Sequence, residues 1–178
     1  MALNAFLKVV SPTAGWIKGS VIQKGREGLI KVVRTDHLME RPLDLPTFTV
    51  ASTIQHQPFL VVKEVDAASI GLRTCFIQNE TLSEWRLQYH RAQTSSAGGG
   101  GLEVLFFTVE LTGAKIQSIH HVLPDTRDRT LADWLDYEEV AFVYDSIKWT
   151  YVIGNKTTTA TVKPSVTRAA IPRPKRRR

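Results

Sequence analysis

Apolar and polar residues alternate along much of the chain with a period of two, which is the pattern of half-buried β-strands. In residues 59–65, for example, Phe59, Val61 and Lys63 are expected to share one face of a strand. The same pattern recurs along the chain and predicts strands over residues 3–10, 16–23, 28–34, 59–65, 85–92, 102–111, 114–122, 138–145 and 147–153. The sequence therefore predicts a mainly β protein.

One segment, residues 66–78, has the pattern of a helix. Ser69 is placed to cap the first turn, because its hydroxyl can accept a hydrogen bond from a free backbone amide. An apolar face is expected to pack against the strands; its members are Ile70, Leu72, Cys75, Phe76 and Ile77. A single helix beside many short strands predicts a small β-barrel, or two packed antiparallel sheets, with one flanking helix.

A long extended loop, residues 35–57, fits neither pattern, and we call it the arm. Pro42, Pro46 and the following Pro58 remove backbone donors, so a continuous helix or central strand is not expected there. The arm is nevertheless rich in apolar side chains, namely Leu38, Met39, Leu43, Leu45, Phe48, Val50 and Ile54. Long loops of this kind tend to be functional. A partner subunit would cover these side chains most simply, and the alternative is that the arm folds back on its own barrel.

Length and composition set limits on the protein class. The 178 residues are enough for one domain with a substantial core. No run of eighteen or more apolar residues is present, so membrane insertion is not expected. The N-terminus lacks a basic leader and a small-residue cleavage site, and is interpreted as a first strand and not as a cleavable signal peptide. Cys75 is the only cysteine, so no internal disulfide forms, consistent with folding in a reducing cytoplasm.

The net charge of +6 is concentrated at the C-terminal end. Of the 23 Lys and Arg residues, seven lie in residues 163–178, which leaves 16 against 17 acidic residues in the rest of the chain. We therefore predict a domain over 1–162 and a disordered basic tail over 163–178. The residues proposed for contact with an acidic partner are Arg173, Lys175, Arg176, Arg177 and Arg178. An inert solubilising tail and a nucleic-acid-binding arm are the alternatives.

Motifs for catalysis and metal binding are missing from the sequence. The five histidines do not lie in an HExxH or CxxC context, and no Gly-x-Ser-x-Gly elbow occurs. Residues 98–101 are glycines but are not followed by the Lys-Ser/Thr of a phosphate loop. The acidic residues Asp133, Asp136, Glu138 and Glu139 are interpreted as a solvated rim and not as catalytic carboxylates. No catalytic residue, cofactor or metal is predicted.

Several longer runs carry a resemblance to a known family. They are IKGSVIQKGREGLI, DHLMERPLDLPT, QHQPFLVVKEVDAAS, NETLSEWRLQYHR, LFFTVELTGAKIQSI and YEEVAFVYDSIKWTY. In this order they resemble the haemolysin-coregulated protein family, the tube protein of bacterial type VI secretion. The resemblance covers most of residues 1–151, whereas the basic tail departs from the usual family ending.

The resemblance implies a fold, an assembly and a route. It implies a β-barrel subunit that forms a hexameric ring, with rings stacked into a tube that a contracting sheath expels. Implied partners are further copies of the chain, sheath, spike and baseplate proteins, and small effectors in the lumen. The protein would reside in the cytoplasm before firing and then be secreted. The arm residues that match the family segment, and are expected at the subunit or ring interface, are His37, Leu38, Met39, Glu40, Arg41, Pro42 and Leu43.

A function of another class remains as an alternative at this point. A small β-barrel of this size could be a nucleic-acid-binding module or a small enzyme that uses the basic tail. The neutral balance of residues 1–162 argues against a nucleic-acid partner, because such a domain usually spreads positive charge over a folded face. The family resemblance implies a structural function and not an enzymatic one.

Overall fold

The computed structural model describes residues 5–92, 103–128 and 135–162 of the chain. In this part, the fold is mainly β with one helix, as predicted. The elements are β1 (Ala5–Ser11), β2 (Gly15–Ile17), β3 (Ile30–Val32), β4 (Arg34–Asp36), β5 (Met39–Glu40), β6 (Leu43–Asp44), β7 (Thr49–Val50), β8 (Gln55–His56), β9 (Phe59–Glu64), α1 (Ala68–Ile77), β10 (Glu84–Ala92), β11 (Glu103–Thr112), β12 (Lys115–Val122), β13 (Tyr137–Val143), β14 (Ser146–Tyr151) and β15 (Lys156–Thr161).

Two antiparallel sheets form the body of the molecule. The larger sheet has the order β15-β14-β11-β10-β1-β2, and β3 also pairs with β1. The smaller sheet has the order β12-β13-β9-β4. The chain passes from the larger to the smaller sheet at Val33, whose amide donates to the Val62 carbonyl at 2.8 Å. The predicted strand over 28–34 is therefore wrong as a single strand: it is two, β3 and β4, one in each sheet.

The core lies between the two sheets and is formed by the inward residues of the alternating strands. Trp85 lies at its centre, where the rings of Phe59 and Phe142 approach it edge-on at 5.1 and 5.5 Å between centroids. The surrounding buried apolar residues include Leu7, Val9, Ile30, Val61, Leu72, Leu87, Val109, Leu111, Val140 and Ile147. Phe59 and Val61, which the period-two pattern placed on one strand face, both belong to this core.

Of the apolar face predicted for helix α1, Leu72 and Cys75 are buried as expected, but Ile70, Phe76 and Ile77 are exposed. Its buried residues are Ala68, Ser69, Leu72 and Cys75, whereas Ile70 and Ile77 are 70% and 81% exposed. The cause is close packing at Gly71, where an added Cβ would lie 2.8 Å from a methyl carbon of Ile17. The small-residue side of the helix therefore faces the body.

The expected capping role of Ser69 is also wrong. The helix begins after Ala67, which makes no side-chain capping bond. It is the Asp66 carboxylate that accepts a hydrogen bond from the Ala68 amide, at 3.0 Å. The Ser69 hydroxyl instead accepts from the Asp66 amide at 3.1 Å and from the Lys63 ammonium at 3.0 Å.

Two further strand predictions differ from the structure. The strand expected over residues 16–23 ends at Ile17, because the chain then turns and the Gly19 amide donates to the Gly28 carbonyl at 2.9 Å. Strand β15 was not predicted, because its run of threonines lacks an apolar alternation. It nevertheless pairs along its full length with β14.

The acidic residues expected at a solvated rim differ in their solvent exposure. Asp136 and Glu139 are at least partly exposed, but Glu138 is 1% exposed and points into the protein. Its carboxylate lies 3.3 Å from the ammonium of the equally buried Lys63 and also pairs with Arg73. Glu138 is therefore part of a buried ion network that joins β9, β13 and α1, and not of a rim.

Some predictions fall outside the described residues. These concern the basic tail over 163–178, the glycines at residues 98–101 and Asp133. In the part of the chain that the structure describes, α1 is the only α-helix, and it is too short to cross a bilayer.

Candidate assembly arm and its anchor

The arm is a narrow antiparallel ribbon built from two short strand pairs. Nearest the body, β5 pairs with β8, with Met39 opposite His56. Further out, β6 pairs with β7, with Leu43 opposite Val50. Between the pairs, the Ala51 amide donates to the Pro42 carbonyl at 2.8 Å. Because Pro42 lacks an amide hydrogen, the pairing at this point uses only its carbonyl, which explains why the ribbon is interrupted.

The turn at the tip of the arm is held by its own side chains. Phe48 has a φ of 52°, in the left-handed region that residues other than glycine seldom occupy. The Thr47 hydroxyl donates to the Asp44 carboxylate at 2.7 Å, and it also lies 2.7 Å from the Thr49 hydroxyl. The tip is thus an ordered turn that presents an 82% exposed Phe48 ring to solvent.

Arg41 fastens one side of the ribbon to the other. Its guanidinium donates hydrogen bonds to the backbone carbonyls of Ser52, at 2.6 Å, and Ala51, at 3.2 Å. A charged donor makes these bonds stronger than ordinary backbone pairing. Arg41 is therefore engaged within the arm itself, and its charge also remains exposed for a partner.

The apolar side chains of the arm are not covered by the body. Those with more than a third of their surface exposed are Leu38, Met39, Leu43, Leu45, Phe48, Val50 and Ile54. The buried core contains residues on either side of the arm, such as Val32 and Phe59, but none of these seven. The arm therefore does not fold back on its own barrel, and it carries an exposed apolar surface of the kind found at protein interfaces.

The root of the arm is anchored by three polar side chains that meet at one point. The hydroxyl of Tyr144, which follows β13, lies 2.5 Å from Nε2 of His37 and 3.0 Å from Nδ1 of His56. The His37 ring also stacks on the Phe59 ring at 5.0 Å between centroids. Because His37 and His56 lie on opposite sides of the arm, Tyr144 fixes both ends of the arm to the body.

Burial changes the proton affinity of all three groups. It lowers the pKa of His37 and of His56 below the ordinary value of 6.5, and it raises the pKa of Tyr144 to about 12. For His37, the positive charge on a protonated His56 lowers the pKa further, while Asp36 acts in the opposite direction. At neutral pH all three groups are therefore held in their uncharged forms.

The family model described as "Type VI secretion system effector, Hcp" matches residues 6–151. The chain belongs to the Hcp family. The matched region includes both sheets up to β14, the helix and the entire arm. The resemblance noted in the sequence is thus confirmed, and it ends before the basic tail, as expected.

Individual Hcp relatives support the same conclusion. The "Major exported protein" of Pseudomonas aeruginosa is 26% identical over 162 residues, which cover 86% of this chain and 91% of that protein. The structure of Hcp1 from E. coli EAEC 042, solved as a double mutant, has a TM-score of 0.77 at 29% identity and covers 90% of this chain and 99% of that one. Another structure, described as Hcp protein, has a TM-score of 0.80 at 20% identity, with 91% and 99% covered, and shows the common fold.

In this Hcp chain the predicted interface residues separate into two groups. His37 belongs to the anchor and Arg41 to the bonds within the ribbon, whereas Leu38, Met39, Glu40 and Leu43 have exposed side chains. The sequence analysis missed His56 and Tyr144 as partners of His37. Tyr144 lies 107 positions from His37, and the pairing of β13 with β9, with Phe142 opposite Phe59, brings it near. The basic residues proposed for partner contact, Arg173, Lys175 and 176–178, lie outside the described residues.

A second polar cluster lies at the end of α1. The Glu80 carboxylate accepts hydrogen bonds from the Ser11 hydroxyl at 2.6 Å, from the Thr13 hydroxyl, and from the Cys75 thiol at 3.3 Å. Burial and the neighbouring carboxylate raise the pKa of Cys75 to about 11. A thiol with this pKa is almost entirely protonated at neutral pH, so the arrangement suits a structural link and not a nucleophile.

Metal ligands are not gathered at any point in the residues that the structure describes. Across the described residues, no group of three or more His, Cys, Asp or Glu side chains is placed to hold an ion. His120 and His121 lie on neighbouring positions of β12, but each faces a separate carboxylate, Glu139 at 3.6 Å and Asp136 at 3.7 Å. The arm and its anchor are therefore the feature of this part of the chain that calls for a functional explanation.

Proposed function

We propose that this chain is a structural, non-enzymatic subunit of the type VI secretion inner tube, in which six copies form a ring and rings stack into a conduit. The observation that carries the proposal is the arm: an ordered ribbon whose apolar side chains are exposed in a single chain. Covering such side chains requires another protein surface. In a homomeric ring, each copy of the chain can supply the surface that covers the arm of another copy.

The edges of the larger sheet support closure into a ring. Within the described residues, β15 forms one edge, and β2 and β3 form the other. Unpaired strand edges invite association with another chain. If the β15 edge of each copy lies against the β2 and β3 edge of the next, the contact is head-to-tail, and a rotation of one sixth of a turn closes it without free edges.

The route out of the cell is part of the same proposal. A relative bears the name Major exported protein, and we propose that this chain likewise leaves the cytoplasm through the secretion apparatus, driven by sheath contraction. Its partners would be sheath, spike and baseplate proteins, and small effectors carried in the lumen. The basic tail, through Arg173, Lys175 and 176–178, would contact an acidic partner among them.

The experiment is a solution mass of the purified full-length protein by light scattering, with negative-stain images of the same peak. A mass of six subunits and a ring with a central hole are expected. A monodisperse monomer at every protein concentration measured would contradict the proposal.

Two substitutions then test the arm. Leu38→Asp places a charge on an exposed arm position and should leave the subunit folded while it weakens stacking or ring formation, seen as a smaller mass in sedimentation. Ile77→Asp is the matched control, because Ile77 is equally apolar and 81% exposed but lies on α1 and not on the arm. Equal loss of assembly in both variants would show that the effect is not specific to the arm.

A further inference from the structure

The three groups of the arm anchor share a single hydroxyl, which limits how many protons they can hold. A phenol has one proton to donate and lone pairs to accept with, whereas a neutral imidazole has one N–H donor and one bare nitrogen. Around the Tyr144 hydroxyl, one histidine can therefore accept the phenol proton while the other donates its N–H. The tautomers of the two rings determine which histidine accepts the proton and which donates its N–H. Both hydrogen bonds are satisfied only while at least one histidine is neutral.

Protonation of both histidines removes this arrangement. Each imidazolium would then direct an N–H at the Tyr144 oxygen, and the phenol proton would lose its acceptor. The two rings, with centroids 6.1 Å apart, would also carry like charges in a partly buried site. Like charges at this separation repel, and an unsatisfied buried donor adds to the cost.

We propose that His37, His56 and Tyr144 form a proton-sensitive latch that holds the arm at neutral pH and releases its root when the medium is acidified. The proposal rests on the proposed function, because its biological consequence is that contacts made through the arm weaken in acid. The latch itself is a property of the single chain.

The neighbours of the latch support the direction of the response. Among the described residues, Asp36 is the charged group that favours protonation of His37, and it does so less strongly than burial and His56 oppose it. The rings packed on His37 from β9 and β14, Phe59 and Trp149, do not titrate in this range. Because the pKa values of both histidines in the latch lie below the ordinary 6.5, the stabilisation that the latch gives to the arm root is fully present above pH 6.5 and decreases as the pH falls from 6.5 through the lowered pKa values.

The test is hydrogen exchange of the full-length protein, followed by mass spectrometry, at about pH 7.5 and about pH 5.5, on either side of the ordinary histidine pKa. Exchange is corrected for its intrinsic pH dependence, and it is measured for peptides that contain the arm root. The Gln57 amide, which donates to the Leu38 carbonyl at 3.0 Å, reports directly on this region. We expect a severalfold faster exchange at the lower pH.

Variants separate the latch from general acid sensitivity. The double variant His37→Gln with His56→Asn keeps hydrogen-bonding amides near the positions of Nε2 and Nδ1 but cannot titrate, so its arm root should exchange at the same slow rate at both pH values. Tyr144→Phe removes the shared hydroxyl, so the amides of its arm root should exchange fast at both pH values. His120→Asn removes an exposed histidine of β12 and should respond as the wild type does.

The outcomes decide between the alternatives. Exchange of the wild-type arm root that does not change with pH would overturn the latch, as would a full pH response in the double variant. If the double variant does not fold, Tyr144→Phe decides: a pH response equal to that of the wild type overturns the latch. A wild-type protein that never forms rings at neutral pH would overturn the proposed function instead, while the exchange data would still decide the latch.

Discussion

The ammonium group of Lys63 lies 3.3 Å from the carboxylate of Glu138, and each of the two side chains is 1% exposed. Asp66 also pairs with Lys63, at 2.8 Å, and Arg73 pairs with Glu138, so the buried charges are balanced within one network. This network joins β9, β13 and the helix. Removing either central partner would leave the other buried charge with only one of its two ion-pair partners.

The first prediction concerns this pair. Glu138→Leu should lower the free energy of unfolding by up to about 3–5 kcal/mol, because the buried Lys63 keeps only Asp66 as a carboxylate partner and Arg73 loses its partner in this network. The added change Lys63→Met should recover part of that loss, since the buried ammonium is then removed. Urea unfolding at one protein concentration measures both effects.

A surface ion cluster provides the control for that measurement. Glu110 pairs with Arg86 at 2.7 Å and with Lys148 at 2.8 Å on the outer face of the larger sheet, where these side chains are partly exposed. Glu110→Ala should cost no more than about 1 kcal/mol, because water screens the charges. A cost equal to that of Glu138→Leu would show that burial is not what makes the Lys63 pair important.

The second prediction concerns the reactivity of Cys75. Its pKa of about 11, compared with the usual 9.0, makes the thiolate about a hundredfold scarcer at neutral pH. Together with its burial, this should make the thiol react with a disulfide reagent far more slowly in the folded protein than in urea. Fast reaction of the native protein would mean that the end of α1 opens readily.

The third prediction concerns the turn between β11 and β12. Gly113 has a φ of +66°, and an added Cβ would collide with the Asp145 carboxylate. Gly25 also has a positive φ, of +82°, but an added Cβ would meet nothing within 4 Å. Gly25→Ala should therefore lower the free energy of unfolding by about 1 kcal/mol, from backbone strain alone.

Gly113→Ala should lower the free energy of unfolding by about 1–3 kcal/mol more than Gly25→Ala does, because overpacking against Asp145 adds to the backbone strain. Thermal or urea unfolding of the two variants, side by side with the wild type, measures the difference. Equal costs would indicate that Asp145 moves away freely and that only the backbone conformation matters at this turn.

The strands could be predicted from the sequence because the alternation itself is the physical signal. Where one face of a strand is buried, as at Leu7 and Val9 or at Leu87, every second residue must be apolar. The same rule contained information that was not used. Glu138 is two positions before Val140, and Lys63 is two positions after Val61, so the period of two already placed both charges on the buried face.

The helix face could not be predicted because apolar content does not decide it alone. Ile70 and Ile77 are the more hydrophobic choice, yet the contact with Ile17 is made at Gly71, where the absence of a side chain allows the backbone to approach. This depends on the position of β2, which the local sequence does not encode.

The arm was predicted only in part, for a related reason. Its prolines and apolar residues marked it as an unusual segment, and the family resemblance implied that it lies at a subunit or ring interface. The anchor depends on a contact between His37 and Tyr144, which belong to distant parts of the chain and to different elements. A polar contact across that distance leaves no periodic trace in the sequence.

The internal bonds of the arm have a consequence for the affinity between copies of the chain in the proposed ring. Because Arg41 and the turn at Asp44 and Thr47 already order the ribbon in a single chain, association does not have to supply the conformational entropy of ordering it. A disordered segment of the same length would lose part of its binding free energy to that cost. The ribbon is thus already ordered before it meets another chain, so most of the free energy gained from its apolar contacts contributes to the binding affinity.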